Sequence, residues 1–75
     1  MSPDTDHTRR LQVTVEEVLP ATGLAYVKDE NQRSWALTRS TPGTGLEQLQ
    51  PGQLLSVSVR RLQHAEYICA YGQPE

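Results

Sequence analysis

The chain has 75 residues, of which 36% are hydrophobic and 5% aromatic, so it has room for one small domain and no second one. Its formal charge is −2 and its pI is about 5.6. This composition argues against a protein that binds duplex DNA by charge alone, because such domains are usually strongly basic.

The ends of the chain are polar. Residues 1–8 contain no apolar residue after Met1 and are predicted to be a disordered tail. Residues 73–75 are predicted to be a short C-terminal tail, which leaves 9–72 as the domain. No stretch approaches the roughly 20 apolar residues of a membrane span, and residues 1–10 lack the apolar core of a secretory signal. We therefore expect a cytoplasmic protein with no membrane contact.

Period-two alternation defines the first strand. Leu11, Val13 and Val15 alternate with polar residues, which is typical of a half-buried strand beginning near Arg10. The alternation slips at residues 16–18, which predicts a bulge or a sharp bend.

Two further strands follow. Turn residues at 20–23 precede a second strand over 24–29, and a turn at 29–32 precedes a third strand over 33–39. In the third strand Trp35 and Leu37 alternate with small or polar residues, so both are expected to point inward.

The second half of the chain is also predicted to be mostly β-structure. Leu55, Val57 and Val59 alternate with polar residues and are expected to face the core. Residues 40–45 are predicted to be irregular, and residues 46–49 to form one helical turn. A fourth strand is predicted over 55–60 and a fifth over 67–71, with a turn at 61–65 between them. The single cysteine, Cys69, lies between Ile68 and Ala70, which predicts a small core residue and excludes an internal disulfide.

No segment shows the apolar spacing of an amphipathic helix, so the chain is predicted to be all-β with five strands. Five strands are too few for an ordinary two-sheet sandwich, whereas a closed barrel removes the exposed strand edges. The predicted fold is a small five-stranded OB-fold β-barrel.

The order of these parts resembles the bacterial cold-shock domain family. Residues 22–28 (TGLAYVK) resemble its first RNA-binding motif, residues 35–40 (WALTRS) fall where its second motif lies, and residues 49–53 (LQPGQ) resemble its turn before the fourth strand. The frame runs from about Leu11 to Tyr71. The resemblance implies a cold-shock-like barrel that binds single-stranded nucleic acid.

The chain departs from that family in its aromatic residues, since it contains no phenylalanine. The first motif keeps one ring, Tyr26, and has Leu24 at its other aromatic position. The exposed Phe, His and Phe of the second motif are replaced by Ala36, Thr38 and Arg39. On the first strand, Glu16 and Glu17 occupy the positions of a lysine and an exposed tryptophan.

A second OB family is also similar. Residues 15–22 (VEEVLPAT) resemble the start of bacterial translation initiation factor one, whose S1-like barrel binds RNA. That factor is rich in basic residues and this chain is not. The two resemblances imply the same fold and ligand class but different cellular roles.

The predicted nucleic-acid-binding residues lie on or beside strands two and three. Tyr26 would stack on a base and Leu24 would give an apolar contact, while the basic side chains would contact phosphates. The full set is Leu24, Tyr26, Lys28, Arg33, Thr38 and Arg39. We expect a monomer that binds single-stranded RNA or DNA with an affinity of about 1 μM or weaker, near −8 kcal/mol.

Two basic pairs form a second candidate patch. Arg9-Arg10 and Arg60-Arg61 lie in or beside predicted strands, and adjacent strand residues point to opposite faces, so only one of each pair can join a given patch. Solvated strand ends are the ordinary alternative. A different functional hypothesis is a protein-interaction module that kept the barrel and lost the ligand.

Catalysis has little support in the sequence. No Ser-His-Asp arrangement or phosphate-binding glycine loop is visible, and His7 and His64 are not at metal-ligand spacing. Strand alternation would place Glu16 and Glu17 on opposite sides, which is poor geometry for acid–base work. We expect no enzymatic activity, no metal and no cofactor.

Overall fold

The computed structural model describes residues 8–74, which form five antiparallel strands and one 3-10 helical turn at Leu46–Gln48. The all-β, five-strand prediction is confirmed. The strands are β1 (Thr8–Leu19), β2 (Leu24–Asp29), β3 (Ser34–Thr38), β4 (Leu54–Leu62) and β5 (Ala65–Gly72). Of the predicted N-terminal tail, residues 1–7 lie outside the described residues, and Thr8 already belongs to β1. Among the described residues, no helix has the length and apolar character needed to cross a membrane.

The strands form one sheet in the order β3-β2-β1-β4-β5. β1 changes partner along its length, because Thr8–Thr14 pairs with β4 and Val13–Leu19 pairs with β2. This exchange, together with the twist of each strand, curls the sheet into a half-barrel in which β3 and β5 approach each other. The arrangement is consistent with the small OB-like barrel that the sequence predicts.

Two bulges bend the sheet. The first lies between Val15 and Glu17 on β1, where the slip in alternation predicts it. The second interrupts the β4–β5 ladder and leaves Cys69 as an extra residue on β5. Cys69 is consequently half-buried and lies outside the core, so its assignment as a core residue is wrong. Its Sγ lies 3.4 Å from the carbonyl oxygen of Ser58.

The core fills the concave side of the sheet. The inward positions of all five strands contribute to it, together with two leucines of the segment before β4. Trp35 and Leu37 both point inward, as predicted. The buried hydrophobic residues are Val13, Val15, Ala25, Val27, Trp35, Leu37, Leu46, Leu49, Leu55, Val57, Val59, Ile68 and Tyr71.

The loop after β3 docks on β5 through Tyr71. The backbone N–H of Tyr71 donates to the carbonyl of Pro42 (3.0 Å), and the N–H of Gly45 donates to Oη of Tyr71 (3.0 Å). Gly43 lies against the Tyr71 ring, where a Cβ atom would come within 2.5 Å of Cε1. Glycine is therefore required at position 43, and the loop links one end of β3 to β5.

The β4–β5 hairpin is longer than predicted. Pairing continues through Arg61 with Glu66 and Leu62 with Ala65, so the turn contains only Gln63 and His64 instead of residues 61–65. The predicted turn was too long because Arg61, Leu62 and Ala65 belong to the ladder. As a result, Arg60 and Arg61 both lie within β4, where Arg60 pairs with Tyr67 and Arg61 pairs with Glu66.

Truncation of a core leucine tests where the stability of the domain lies. Leu37 is fully buried and Leu62 is 64% exposed, so Leu37→Ala and Leu62→Ala form a matched pair. Leu37→Ala is expected to cost about 2–5 kcal/mol, a large part of the roughly 4–11 kcal/mol available to a domain of this size. Leu62→Ala should change stability by less than about 0.5 kcal/mol. Urea denaturation monitored by circular dichroism measures both, and equal losses would contradict this core.

Candidate functional site

Four of the six predicted site residues share one face of the sheet. Strand register places Leu24 opposite Thr38, Tyr26 opposite Ala36, and Lys28 opposite Ser34. Because directly paired residues project to the same side, these side chains form one outward surface. We call this surface the β1–β3 face, and its members are Thr14, Glu16, Glu17, Leu24, Tyr26, Lys28, Ser34, Ala36 and Thr38.

Tyr26 lies near the middle of the β1–β3 face. Its side chain is 38% exposed, and its cross-strand neighbours are Ala36 on β3 and Glu17 on β1. Ala36 is too small to cover the ring from that side. One flat ring is therefore accessible on a surface with an apolar neighbour at Leu24, which is half-buried.

The β1–β3 face also contains two carboxylates. The bulge on β1 places Glu17 opposite Tyr26 and leaves Glu16 with its Oε2 3.5 Å from Nζ of Lys28. The expectation that Glu16 and Glu17 point to opposite sides is wrong, because the bulge breaks the alternation between them. Lys28 is thus paired with an acid instead of being available alone for a phosphate.

Arg39 lies at the β1–β2 turn. Its Nη2 donates to the carbonyl oxygen of Pro20 (2.7 Å), and its backbone N–H donates to the carbonyl of Gly23 (3.1 Å). Gly23 is buried with φ of 74°, and a Cβ there would lie 3.3 Å from Cζ of Arg39. Arg39 therefore connects the end of β3 to the preceding turn, at the border of the β1–β3 face.

Arg33 lies apart from the other predicted site residues. Its guanidinium stacks over the Trp35 ring, with Cζ 4.1 Å from the ring centroid, and Nη1 donates to Oε1 of Glu66 on β5 (2.8 Å). Glu66 also accepts from Nη2 of Arg9 on β1. Arg33 thus bridges the gap between β3 and β5 and does not join the β1–β3 face.

A buried carboxylate organises the turn between β2 and β3. Asp29 is 8% exposed, and its Oδ2 accepts from Nε1 of Trp35 (3.1 Å). Its Oδ1 accepts from the backbone N–H groups of Asn31 (2.8 Å) and Arg33 (3.0 Å). Every oxygen of this buried group is therefore satisfied, and the same contacts orient Trp35 beneath Arg33.

A groove separates the outer surfaces of β3 and β5. Its volume is about 450 Å³, within the roughly 300–1,000 Å³ typical of ligand pockets. Tyr67, which is 43% exposed, lines the β5 side, and Ser34 and Ala36 line the β3 side. Sequence reasoning placed Tyr67 in the fifth strand but gave it no role. The signal was available, since an inward Ile68 requires an outward Tyr67.

Among residues 8–74, no group of three or more His, Cys, Asp or Glu side chains is arranged to hold a metal ion. The pairing of Glu16 with Lys28 makes Glu16 part of an exposed ion pair. The site as described is a surface with one ring, small side chains and paired charges, which suits contact with an extended ligand.

Acidification should destabilise the fold through Asp29 and Glu66. The Trp35 hydrogen bond, assisted by the two backbone N–H donors, holds the pKa of Asp29 below its ordinary 3.8 despite the opposing effect of burial. The Arg33 hydrogen bond, assisted by Arg9, holds the pKa of Glu66 below 4.5. Because both pKa values are depressed in the folded state, their contribution to stability is complete above these ordinary values. It is lost as the pH falls through the folded pKa values.

The measurement is the midpoint of thermal unfolding between pH 7 and pH 2. Asp29→Asn should lower the midpoint at neutral pH and flatten its fall in acid. Glu30→Gln, which removes an exposed carboxylate from the same turn, is the control. An Asp29→Asn curve parallel to that of the parent would contradict the assigned contacts.

Comparison with known proteins gave no match to a family model, to a curated protein or to a solved structure.

Proposed function

We propose that this domain binds single-stranded RNA or DNA weakly, and with little sequence preference, on the β1–β3 face of an OB-type barrel. The observation that supports the proposal is the exposed Tyr26 ring, flanked by Leu24 and Ala36 on a sheet surface. Every nucleobase has a flat apolar face, so stacking on an aromatic ring is worth about 1–3 kcal/mol and tolerates any sequence.

The cations beside this face can contribute to phosphate binding by exchanging partners. Lys28 and Glu16 are 37% and 46% exposed in their ion pair, and exposed pairs of this kind are worth only about 0.2–1 kcal/mol. A phosphate can therefore replace Glu16 as the partner of Lys28 at small cost. Arg39 uses one N–H group on Pro20, and a guanidinium has five N–H donors in all.

The balance of these terms gives low affinity. One stacked ring and one or two exchangeable cations provide few contacts, and Glu16 and Glu17 repel the same phosphates. Ordinary salt screens that repulsion only in part, because the screening length is about 8–10 Å. We therefore expect a dissociation constant of about 1 μM, which corresponds to about −8 kcal/mol, or a weaker one.

A second function, docking of a protein partner, is favoured by the same two glutamates. They lie beside Tyr26, where a polyanion would be repelled, while Leu24, Tyr26 and Ala36 offer a partly apolar surface to a protein partner. Salt dependence separates the two functions. Nucleic-acid binding weakens steeply as salt rises because counterions are released from the strand, whereas a largely apolar protein contact changes little.

Substitution of Tyr26 tests the stacking claim. The oligonucleotide should have about 12 nucleotides, within the roughly 4–16 that one OB fold covers. Tyr26→Ala should lower its affinity by about tenfold, the equivalent of about 1.4 kcal/mol, while Tyr26→Phe keeps the ring and should bind like the parent. Fluorescence anisotropy of the labelled strand at low salt measures both.

The control for folding is the thermal midpoint, which should be similar in both variants because Tyr26 is outside the core. Unchanged affinity in Tyr26→Ala would remove Tyr26 from the site. Absence of binding by the parent protein to RNA and DNA at low salt would instead reject the proposed function and favour the protein-docking alternative.

A further inference from the structure

Strand register shows which member of each arginine pair, Arg9-Arg10 and Arg60-Arg61, lies on the outer face of the sheet. Arg10 on β1 lies opposite Ser58 on β4, and Arg60 lies opposite Thr8. On β4, Leu55, Val57 and Val59 face the core, so Arg60 projects outward and Arg61 projects to the opposite side. Arg10 and Arg60 therefore share the outer face, as diagonal neighbours about 7–8 Å apart at the backbone.

An exposed aromatic ring adjoins these arginines. Tyr67 on β5 pairs directly with Arg60 and is 43% exposed, slightly more than Tyr26 at 38%. Tyr67, Arg60 and Arg10 consequently form a row across three strands. We call the outward surface of these strands, over Thr8–Thr14, β4 and β5, the β1–β4–β5 face.

Charge distinguishes this face from the β1–β3 face. Within residues 8–74, none of its outward positions holds Asp or Glu. Glu66, the neighbour of Tyr67 in the chain, projects to the other side, where Arg9 and Arg33 bind it. Among the described residues this face is therefore positive although the net charge of the chain is −2, and local charge governs the attraction of a polyanion.

A shallow depression beside Arg10 offers further hydrogen-bond donors. Its volume is about 210 Å³, and it is lined by Arg10, the half-buried hydroxyl residues Ser56 and Ser58, and Gly72. This volume is below the roughly 300 Å³ at which ligand pockets begin. An arginine beside two hydroxyl groups suits a phosphate group, since these residue types supply most contacts to phosphate oxygens.

We propose that the β1–β4–β5 face binds the phosphate backbone of the single strand through Arg10 and Arg60, with Tyr67 stacking on a base at its border. This inference rests on the proposed function for its ligand class. The two faces are connected, because Tyr67 also lines the groove whose other side is formed by Ser34 and Ala36 of β3. A strand stacked on Tyr26 thus reaches Tyr67 by crossing β3 and that groove, which is also lined by Arg33 and by Glu66, the carboxylate that Arg33 and Arg9 bind.

Salt dependence of binding is the test, with the labelled RNA or DNA of about 12 nucleotides. The double variant Arg10→Gln/Arg60→Gln should lose at least about fivefold in affinity at low salt. It should also reduce the slope of log K against log salt by about 1.4, since each phosphate contact to a single strand contributes about 0.7. Tyr67→Ala should weaken binding, and Tyr67→Phe should not.

Arg61→Gln is the matched control for Arg60→Gln, because it removes the same charge from the adjacent residue on the opposite side of the strand. It should change affinity by less than about twofold. All variants should unfold at nearly the parent temperature, since these side chains lie outside the core.

The outcomes separate the inference from the proposed function. Equal losses in Arg60→Gln and Arg61→Gln would indicate a general charge effect and overturn the assignment of the face. If Tyr26→Ala loses binding while the double variant and Tyr67→Ala bind like the parent, this inference is overturned and the proposed function stands. A parent protein that binds no oligonucleotide would reject both.

Discussion

The buried carboxylate of Asp29 begins the series of contacts by which this small sheet holds its curl. It accepts the indole N–H of Trp35 and two backbone N–H groups of the following turn. Trp35, oriented in this way, supports the guanidinium of Arg33, which reaches Glu66 on β5, and Glu66 binds Arg9 on β1. One polar chain thus links four strands at the end of the half-barrel where no backbone ladder between β3 and β5 is present among the described residues.

The opposite end of the gap between β3 and β5 is closed in a different way, by the loop after β3, which packs on Tyr71. Between these two closures the outer surfaces of β3 and β5 remain apart, and the groove between them is the result. The proposed path of the strand depends on this arrangement, because the groove lies between Tyr67 and Ala36, the cross-strand neighbour of Tyr26. A fully hydrogen-bonded junction between β3 and β5 would leave no such space.

The fold was predictable because its signals are local. Leu24–Asp29 forms a strand with the predicted bounds, since turn residues flank it, and the bulge on β1 follows from the slip after Val15. The contacts of Arg33 and Arg39 were not predictable. Their partners, Glu66 and Pro20, are 33 and 19 residues away in the chain. The curl of the sheet brings Arg33 to Glu66, and the pairing of β2 with β3 brings Arg39 to the turn that contains Pro20.

Cys69 and the arginine pairs illustrate a related limit. Alternation indicates that neighbouring residues face opposite ways, but it does not indicate which residue a bulge displaces or which members of two distant pairs meet. The register between β1 and β4 supplies that information, and it places Arg10 with Arg60. The resemblances expected from the sequence rest mainly on residues of β1, β2 and β3, and they give no indication of the surface that β1 shares with β4 and β5.

The central claim, that this domain binds a single strand, is tested most directly by following the backbone amide resonances of the labelled protein. Short mixed-sequence RNA and DNA would be added at low salt. We expect shifts at residues 24–28 and 36–38, at Tyr67 and around Arg10 and Arg60, and all of these shifts should fade as salt is added. No shift at millimolar oligonucleotide would contradict single-strand binding. Shifts confined to residues around Arg61 and His64 would place the ligand outside the two proposed faces.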